Sequence, residues 1–242
     1  MHPQKVTVRD SCTVESFIQR NQDLIEEKRK KAPCVGLVRL IQNGKVVSVD
    51  KDHLDGWLTN VTVGVGREFI AQRAFGLTSG RAVNLTGPNT MDVSALTITH
   101  FGIGSGGTVA GAPPTLVTPT VSDTKLNAPL DFNATALDYD SGTGIQTLVA
   151  KPITSGGTIV FQTDPLSNNN FSTVKCTCLV GASEPIKDEL GNVLTTGNAA
   201  KIDEAMLFAT SGTTVLPFAH ISFMPKFVEF ESTLMIEWFI IF

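Results

Sequence analysis

Residues 229–242 read E-F-E-S-T-L-M-I-E-W-F-I-I-F, and the alternation in this stretch decides the fold class. Phe230, Ser232, Leu234, Ile236, Trp238, Ile240 and Phe242 share one register. Glu229, Glu231, Thr233, Met235, Glu237, Phe239 and Ile241 share the other. Successive side chains of a strand point to opposite faces, so the first register is core-like and places Trp238 inside. The second register is charged at its start and apolar towards its end. One long strand is predicted. Left bare, its apolar end would aggregate, so the sheet that holds it must be closed, covered or paired in an assembly.

The same punctuation extends upstream. From Val93 onward the sequence reads as strand and turn: Leu96 to Phe101, Leu130 to Leu137, Ile145 to Ala150, Thr158 to Thr163, Ser172 to Val180, Glu204 to Thr210 and Phe218 to Phe223. Each run is bounded by Gly, Asp, Asn or Pro clusters. Leu190-Gly191-Asn192-Val193 reads as a tight turn. Nearer the start, Asn43-Gly44 separates two β-rich runs, Val35 to Gln42 and Lys45 to Asp50, and both turn positions of such a hairpin favour positive φ. Asp55-Gly56 marks another turn. Arg67 to Phe75 has the period of one short helix, with Phe69, Ile70 and Ala74 on one side. Many short strands with turn signals and no alternating βα units give a mainly β fold, an antiparallel, jelly-roll-like β-sandwich. No repeat of fixed period is present.

The first residues differ in kind. Thr13 is a candidate N-cap, and Phe17, Ile18, Leu24 and Ile25 make a thin apolar stripe on an otherwise polar helix that ends near Lys31, before Pro33. So thin a helix is not stable alone in water and must lie on the body or on a partner. The organisation read from this is an N-terminal arm over residues 1–60, helix plus hairpin, and a β-sandwich body over 61–242. Phe17, Leu24, Ile25, Lys28 and Arg29 are the candidate partner-binding residues. The run Glu26 to Lys31, E-E-K-R-K-K, reads as a solvated helix end with cations near the negative pole of the dipole.

Charge and composition bound the function. The 242 residues carry 19 Lys+Arg against 23 Asp+Glu, a net charge of -4, which argues against a protein built to grip nucleic acid over its whole surface. With 42% hydrophobic residues and low charge, the chain is not wholly disordered. No apolar run is long enough to span a bilayer, and Met1 to Asp10 has no apolar region of a signal peptide. Without such a signal the sequons at Asn60, Asn84, Asn133 and Asn170 carry no weight. Cys176 and Cys178 share one face of a strand, as small buried hydrophobes, while Cys12 and Cys34 leave open a cross-link to a neighbouring subunit.

No motif for catalysis, cofactor or metal is complete. Gly102 to Gly107, G-I-G-S-G-G, satisfies the dinucleotide-binding spacing, but three prolines and no helical period follow, so it reads as a flexible surface loop after a strand. His100 and His220 are isolated in sequence, with no acid or nucleophile placed beside them, and His220 reads as a satisfied edge or core histidine. His2 and His53 read as surface residues. Asp138 to Gly142 starts like a calcium loop but lacks its later ligands and reads as a turn. Asp203-Glu204 is an acid pair in sequence, yet adjacent strand residues face opposite ways.

The order of features is nevertheless distinctive. Gly66-Arg67-Glu68-Phe69-Ile70-Ala71-Gln72-Arg73 precedes Thr97-Ile98-Thr99-His100-Phe101-Gly102-Ile103-Gly104-Ser105-Gly106-Gly107. A Pro-rich stretch then leads to Asp123-Thr124-Lys125-Leu126. Later come Asp203-Glu204-Ala205-Met206-Leu207-Phe208, then Phe218-Ala219-His220-Ile221-Ser222-Phe223, then Glu237-Trp238-Phe239-Ile240-Ile241-Phe242. This order, over residues 60–242, resembles virion proteins of tailed bacteriophages: tail-collar, baseplate, neck or head-decoration proteins. The resemblance implies a non-enzymatic structural protein in the virion, made in the host cytoplasm. It would assemble in several copies with other virion proteins in the tail, neck or baseplate, with the head as the alternative position. A host-glycan-binding, adhesin-like sandwich is the rival, and would need exposed aromatics among Trp57, Trp238 and Tyr139.

Overall fold

A computed structural model describes residues 23, 26–27, 34–47, 58–59, 61–63, 66–67, 69–70, 74, 80–83, 90–91, 96–132, 150–162, 173–211 and 214–242. The named strands, in chain order, are β1 (Val35–Gln42), β2 (Lys45–Val46), β3 (Leu58–Thr59), β4 (Val61–Thr62), β5 (Gly80–Val83), β6 (Thr90–Met91), β7 (Thr97–Gly104) and β8 (Thr108–Val109). They continue with β9 (Thr115–Leu116), β10 (Lys151–Pro152), β11 (Thr158–Gln162), β12 (Thr173–Val180), β13 (Ala199–Ser211), β14 (Thr214–Glu229) and β15 (Leu234–Ile241). The fold is mainly β, and every strand pair is antiparallel.

Two sheets dominate. A six-stranded sheet runs β11-β12-β15-β1-β2, with β3 also paired to β1. A five-stranded sheet runs β10-β7-β13-β14-β4. The decisive C-terminal stretch is divided: β14 ends at Glu229, a turn closed by the Ser232 N–H on the Glu229 carbonyl (2.9 Å) follows, and β15 begins at Leu234. One long strand was expected over this stretch. The turn intervenes because the segment must cross from one sheet to the other. The register itself holds. Trp238 is 0% exposed, with Leu234, Ile236 and Ile240 beside it. β15 lies between β1 and β12, so both its edges are paired, which removes the aggregation hazard of so apolar a strand.

The apolar faces of the two sheets share one core. Val38 and Leu40, Cys176 and Cys178, and Ile236 and Trp238 come from the six-stranded sheet. Phe101 and Ile103, Leu207 and Phe218 come from the five-stranded one. Cys176 and Cys178 are free thiols inside this core, the first pushed up to about 12 by burial. Cys34 is also free and buried, its sulfur 3.2 Å from Thr62 Oγ1, so the expected opening for a Cys34 cross-link to another subunit is closed. Cys12 lies outside the described residues.

Several local expectations are met. Asn43 and Gly44 form the β1–β2 turn with φ of 48° and 77°. The Leu190–Val193 turn is held by Asp188, whose Oδ1 accepts the Leu190 and Asn192 amides at 2.9 and 2.8 Å. Gly66, Arg67, Phe69, Ile70 and Ala74 are helical, and Phe69 meets Phe218 edge-on at 6.3 Å. Others are not. Leu130 to Phe132 is not a strand: its backbone is drawn onto the end of β7, with the Leu130 N–H on the Ile103 carbonyl at 2.9 Å. Lys151–Pro152 forms the edge strand β10, which alternation over two residues does not announce. In the N-terminal region Asp23, Glu26 and Glu27 are helical and exposed. Phe17, Leu24, Ile25, Lys28 and Arg29 lie outside the described residues, as do Asp55-Gly56, Asp138 to Gly142, Trp57 and Tyr139.

Candidate functional site

The five-stranded sheet is buried on both faces. Its outer face carries Met206, Phe208 and Val215 in a second core with Leu126 and Ala150. Leu126 belongs to the chain that crosses this face between Ser105 and Pro129. A polar node lies in the same layer, built from β13, β14 and that crossing loop.

A β-bulge creates it. The β13–β14 register shifts between Ile202 and Glu204. Ile202 and Ala205 both belong to the main core. Strict alternation from Ile202 would send Glu204 into that core. The break in register resets the phase along β13, so Asp203 and Glu204 both face the crossing loop. The expectation that this acid pair diverges is therefore corrected. The two carboxylates receive adjacent amides, Gly107 N on Asp203 Oδ1 at 2.7 Å and Gly106 N on Glu204 Oε1 at 3.1 Å.

Glu204 is 0% exposed and accepts five hydrogen bonds. Oε1 takes Gly106 N and Ala128 N (2.9 Å). Oε2 takes Asn127 N (3.1 Å), Asn127 Nδ2 (3.2 Å) and His220 Nε2 (3.1 Å). Burial pushes this carboxyl up, but the bonds from His220 and the Ala128 and Asn127 amides outweigh it and hold it below its ordinary range. Asp203 is equally buried, with Thr108 Oγ1 at 2.5 Å and Lys201 Nζ at 2.7 Å on Oδ2. Lys201 also donates to the Ser105 carbonyl at 3.1 Å.

His220 completes the node from β14. Nδ1 lies 2.6 Å from Asp123 Oδ2 and Nε2 3.1 Å from Glu204 Oε2. An ionised carboxylate only accepts, so both ring nitrogens donate and the ring is the imidazolium. Burial pushes the imidazole down, but Glu204 and Asp123 together raise it above its ordinary value. Asp123 in turn accepts Thr120 N (2.9 Å) and Thr120 Oγ1 (2.6 Å), closing the turn over 120–123. For Asp123 too, burial is outweighed by its hydrogen bonds to Thr120 and His220, and the carboxyl is held low.

The expectation for His220 as a satisfied histidine is met. The expectation that no acid stands beside it is corrected: Asp123 lies 97 residues away in sequence and Glu204 lies 16 away. The glycine run is corrected as well. Gly102 and Gly104 are the end of β7, and Gly107 is packed so closely that a Cβ there would lie 1.9 Å from the Asp203 carbonyl oxygen. The run is the seat of two carboxylates and no flexible loop. Thr108, Asn127, Ala128 and Lys201 join the site without any sequence signal beyond their neighbours. His100 takes no part in the bonds of the node. Its Nδ1 lies 2.8 Å from Thr99 Oγ1 and 3.2 Å from Thr210 Oγ1, and burial holds it below its ordinary value.

Among the described residues no cluster of His, Cys, Asp and Glu is arranged to hold a metal ion, and no helix is long and apolar enough to cross a membrane. Comparison of the chain with protein-family models, curated proteins and solved structures gives no match.

Proposed function

We propose that this chain is a non-enzymatic virion structural protein of a tailed bacteriophage, a component of the tail, neck or baseplate that assembles with other virion proteins and with copies of itself. One observation carries the reading. The separated segments that bear the resemblance, Gly102 to Gly107, Asp123 to Leu126, Asp203 to Phe208 and Phe218 to Phe223, meet in one buried node whose carboxylates are occupied by backbone amides. Such a node makes a rigid block. It fixes loops to a sheet and leaves the carboxylates closed to a substrate.

The two sheets with their shared core are read here as the layers of a jelly-roll-like sandwich. The N-terminal residues are read as an arm that docks on a neighbour through Phe17, Leu24 and Ile25, with Lys28 and Arg29 at the rim. The strand β11 supports assembly too. It stands last in its sheet among the described strands and exposes Ile159, Val160 and Phe161, an uncharged apolar edge of the kind that monomers usually guard.

The test is co-sedimentation of the protein with purified particles, with immunogold electron microscopy beside it. Gold at the tail or neck is expected. Gold over the head moves the protein to decoration, and failure to co-sediment overturns the virion reading. Replacing Phe17, Leu24 and Ile25 together by Ser is expected to abolish incorporation while leaving the body folded. Normal incorporation of that variant contradicts the arm.

A further inference from the structure

We propose that Asp123, His220 and Glu204 form a two-stage, proton-controlled latch on the 105–129 loop, in which Asp123 lets go first and Glu204 holds. The inference rests on the geometry of the node and is independent of the virion reading.

The two carboxylates on the ring are not equivalent. Glu204 is sealed from water and keeps four further donors, Gly106 N, Asn127 N, Asn127 Nδ2 and Ala128 N. Asp123 has 22% of its side chain exposed, and its other donors belong to its own turn at Thr120. A neutral imidazole has one N–H left to give. Taking it from Glu204 would break a fully buried bond that no water can replace, whereas water can reach Asp123. The proton that remains is therefore on Nε2, facing Glu204. The Nδ1 lone pair then confronts Asp123 Oδ2 across 2.6 Å, acceptor against acceptor. The contact opens and the 120–123 turn leaves the sheet. The base of the loop stays, held by Glu204 on Gly106 and Ala128 and by Asp203 on Gly107 and Thr108.

The charges that face His220 are few. From β13 it meets Glu204, and from the crossing loop Asp123. Its neighbours Val61 and Thr62 on β4 are uncharged, as are Met206 on β13 and the β8–β9 hairpin packed on β14. Asp203 and Lys201 pair with each other at 2.7 Å, Arg67 donates to the Thr62 carbonyl on β4, and Lys125 on the loop is exposed. Among the described residues no Lys or Arg is paired with either Asp123 or Glu204. The moving turn carries one exposed apolar side chain, Val121.

The experiment uses the full 242-residue chain, isotopically labelled, over about pH 5 to about pH 10. Imidazole nitrogen shifts report the protonation of His220, nuclear Overhauser contacts between the His220 ring and the 120–123 turn report that stage, and hydrogen exchange reports the Gly106 and Ala128 amides against their intrinsic rates. We expect a doubly protonated ring at pH 6.5 that titrates at higher pH to the Nε2–H form. Because one proton is linked to opening, those ring–turn contacts are then lost progressively as pH rises through that titration and do not change further above it, with Gly106 and Ala128 protection unchanged. Asp123→Asn is expected to abolish the pH dependence of those ring–turn contacts and to lower the His220 titration, with the Ala128 amide still protected. A neutral ring at pH 6.5, an Nδ1–H tautomer, release of the Gly106 and Ala128 amides together with the turn, or a pH dependence that survives Asp123→Asn overturns the proposal.

Discussion

Glu237 on the six-stranded sheet and Glu204 on the five-stranded sheet are both buried carboxylates held low, but by different means. For Glu237, burial pushes the carboxyl up and the side-chain cations Lys175 and Arg39 bring it down. Lys175 Nζ sits 2.6 Å from Oε1 and Arg39 Nε 2.8 Å from Oε2, so the three strands β12, β15 and β1 are tied on their outer face. Lys175 and Arg39 remain partly exposed, and Lys175 also lies 5.2 Å above the Phe239 ring. Among the described residues Glu204 has no Lys or Arg partner. Backbone amides from two distant segments and one imidazolium replace them. The first arrangement reinforces a sheet that pairing already defines. The second fixes loops from separate parts of the chain onto a sheet, so its loss is expected to cost more.

That contrast can be broken at several points. The largest effect is expected from moving a carboxylate by one residue along β15. Trp238→Asp places an unpaired charge in the core, beside a position where Glu237 is tolerated, and should abolish the cooperative thermal transition seen by circular dichroism. A normal melt would show that the register is off by one. Glu204→Ala removes one partner of a buried pair and strands several donors, for an expected loss of about 3–5 kcal/mol in denaturant unfolding. Gly107→Ala forces a methyl group against the Asp203 carbonyl and should cost about 1–3 kcal/mol by the same measurement. Glu237→Gln is expected to cost only about 1 kcal/mol, because Arg39 and Lys175 can rehydrate, and the difference should shrink in high salt.

The finest distinction is in pH. His220 is raised above its ordinary value of 6.5, so its contribution is complete below that pH and drains away as pH rises through the raised value. Glu204 is lowered from 4.5 and Asp123 from 3.8, so their contributions are complete above those values and are lost as pH falls through the lowered ones. The node is therefore most stabilising between about pH 4.5 and 6.5, and His220→Gln should flatten the alkaline limb of the melting-temperature profile. An unchanged alkaline limb in that variant contradicts the charged state assigned to the ring.

What could be read from the sequence follows the same division. Period-two alternation placed Trp238, Cys176 and Cys178 in the core, because a regular strand converts sequence parity directly into facing. The Asn43-Gly44 turn was legible because its conformation demands those residue types. Parity misled at Asp203-Glu204, where a break in the β13–β14 register changes the phase, and such irregularities leave no composition signal. The node stayed hidden because its partners are joined by long-range contacts, Asp123 to His220 across 97 residues and Gly107 to Asp203 across 96. One clue was present. Two consecutive acids stand between Ile202 and the run Ala205 to Phe208, and so polar a pair inside an apolar strand needs buried partners.

The central structural claim is that one carboxylate, Glu204, holds the crossing loop on the sheet. Glu204→Gln tests it most directly, because the substitution keeps the shape and turns one acceptor into a donor that faces other donors. Hydrogen exchange should show the Gly106, Asn127 and Ala128 amides losing protection, while the amides of β15 and β1 keep theirs. Unchanged protection at Ala128 in that variant would contradict the claim.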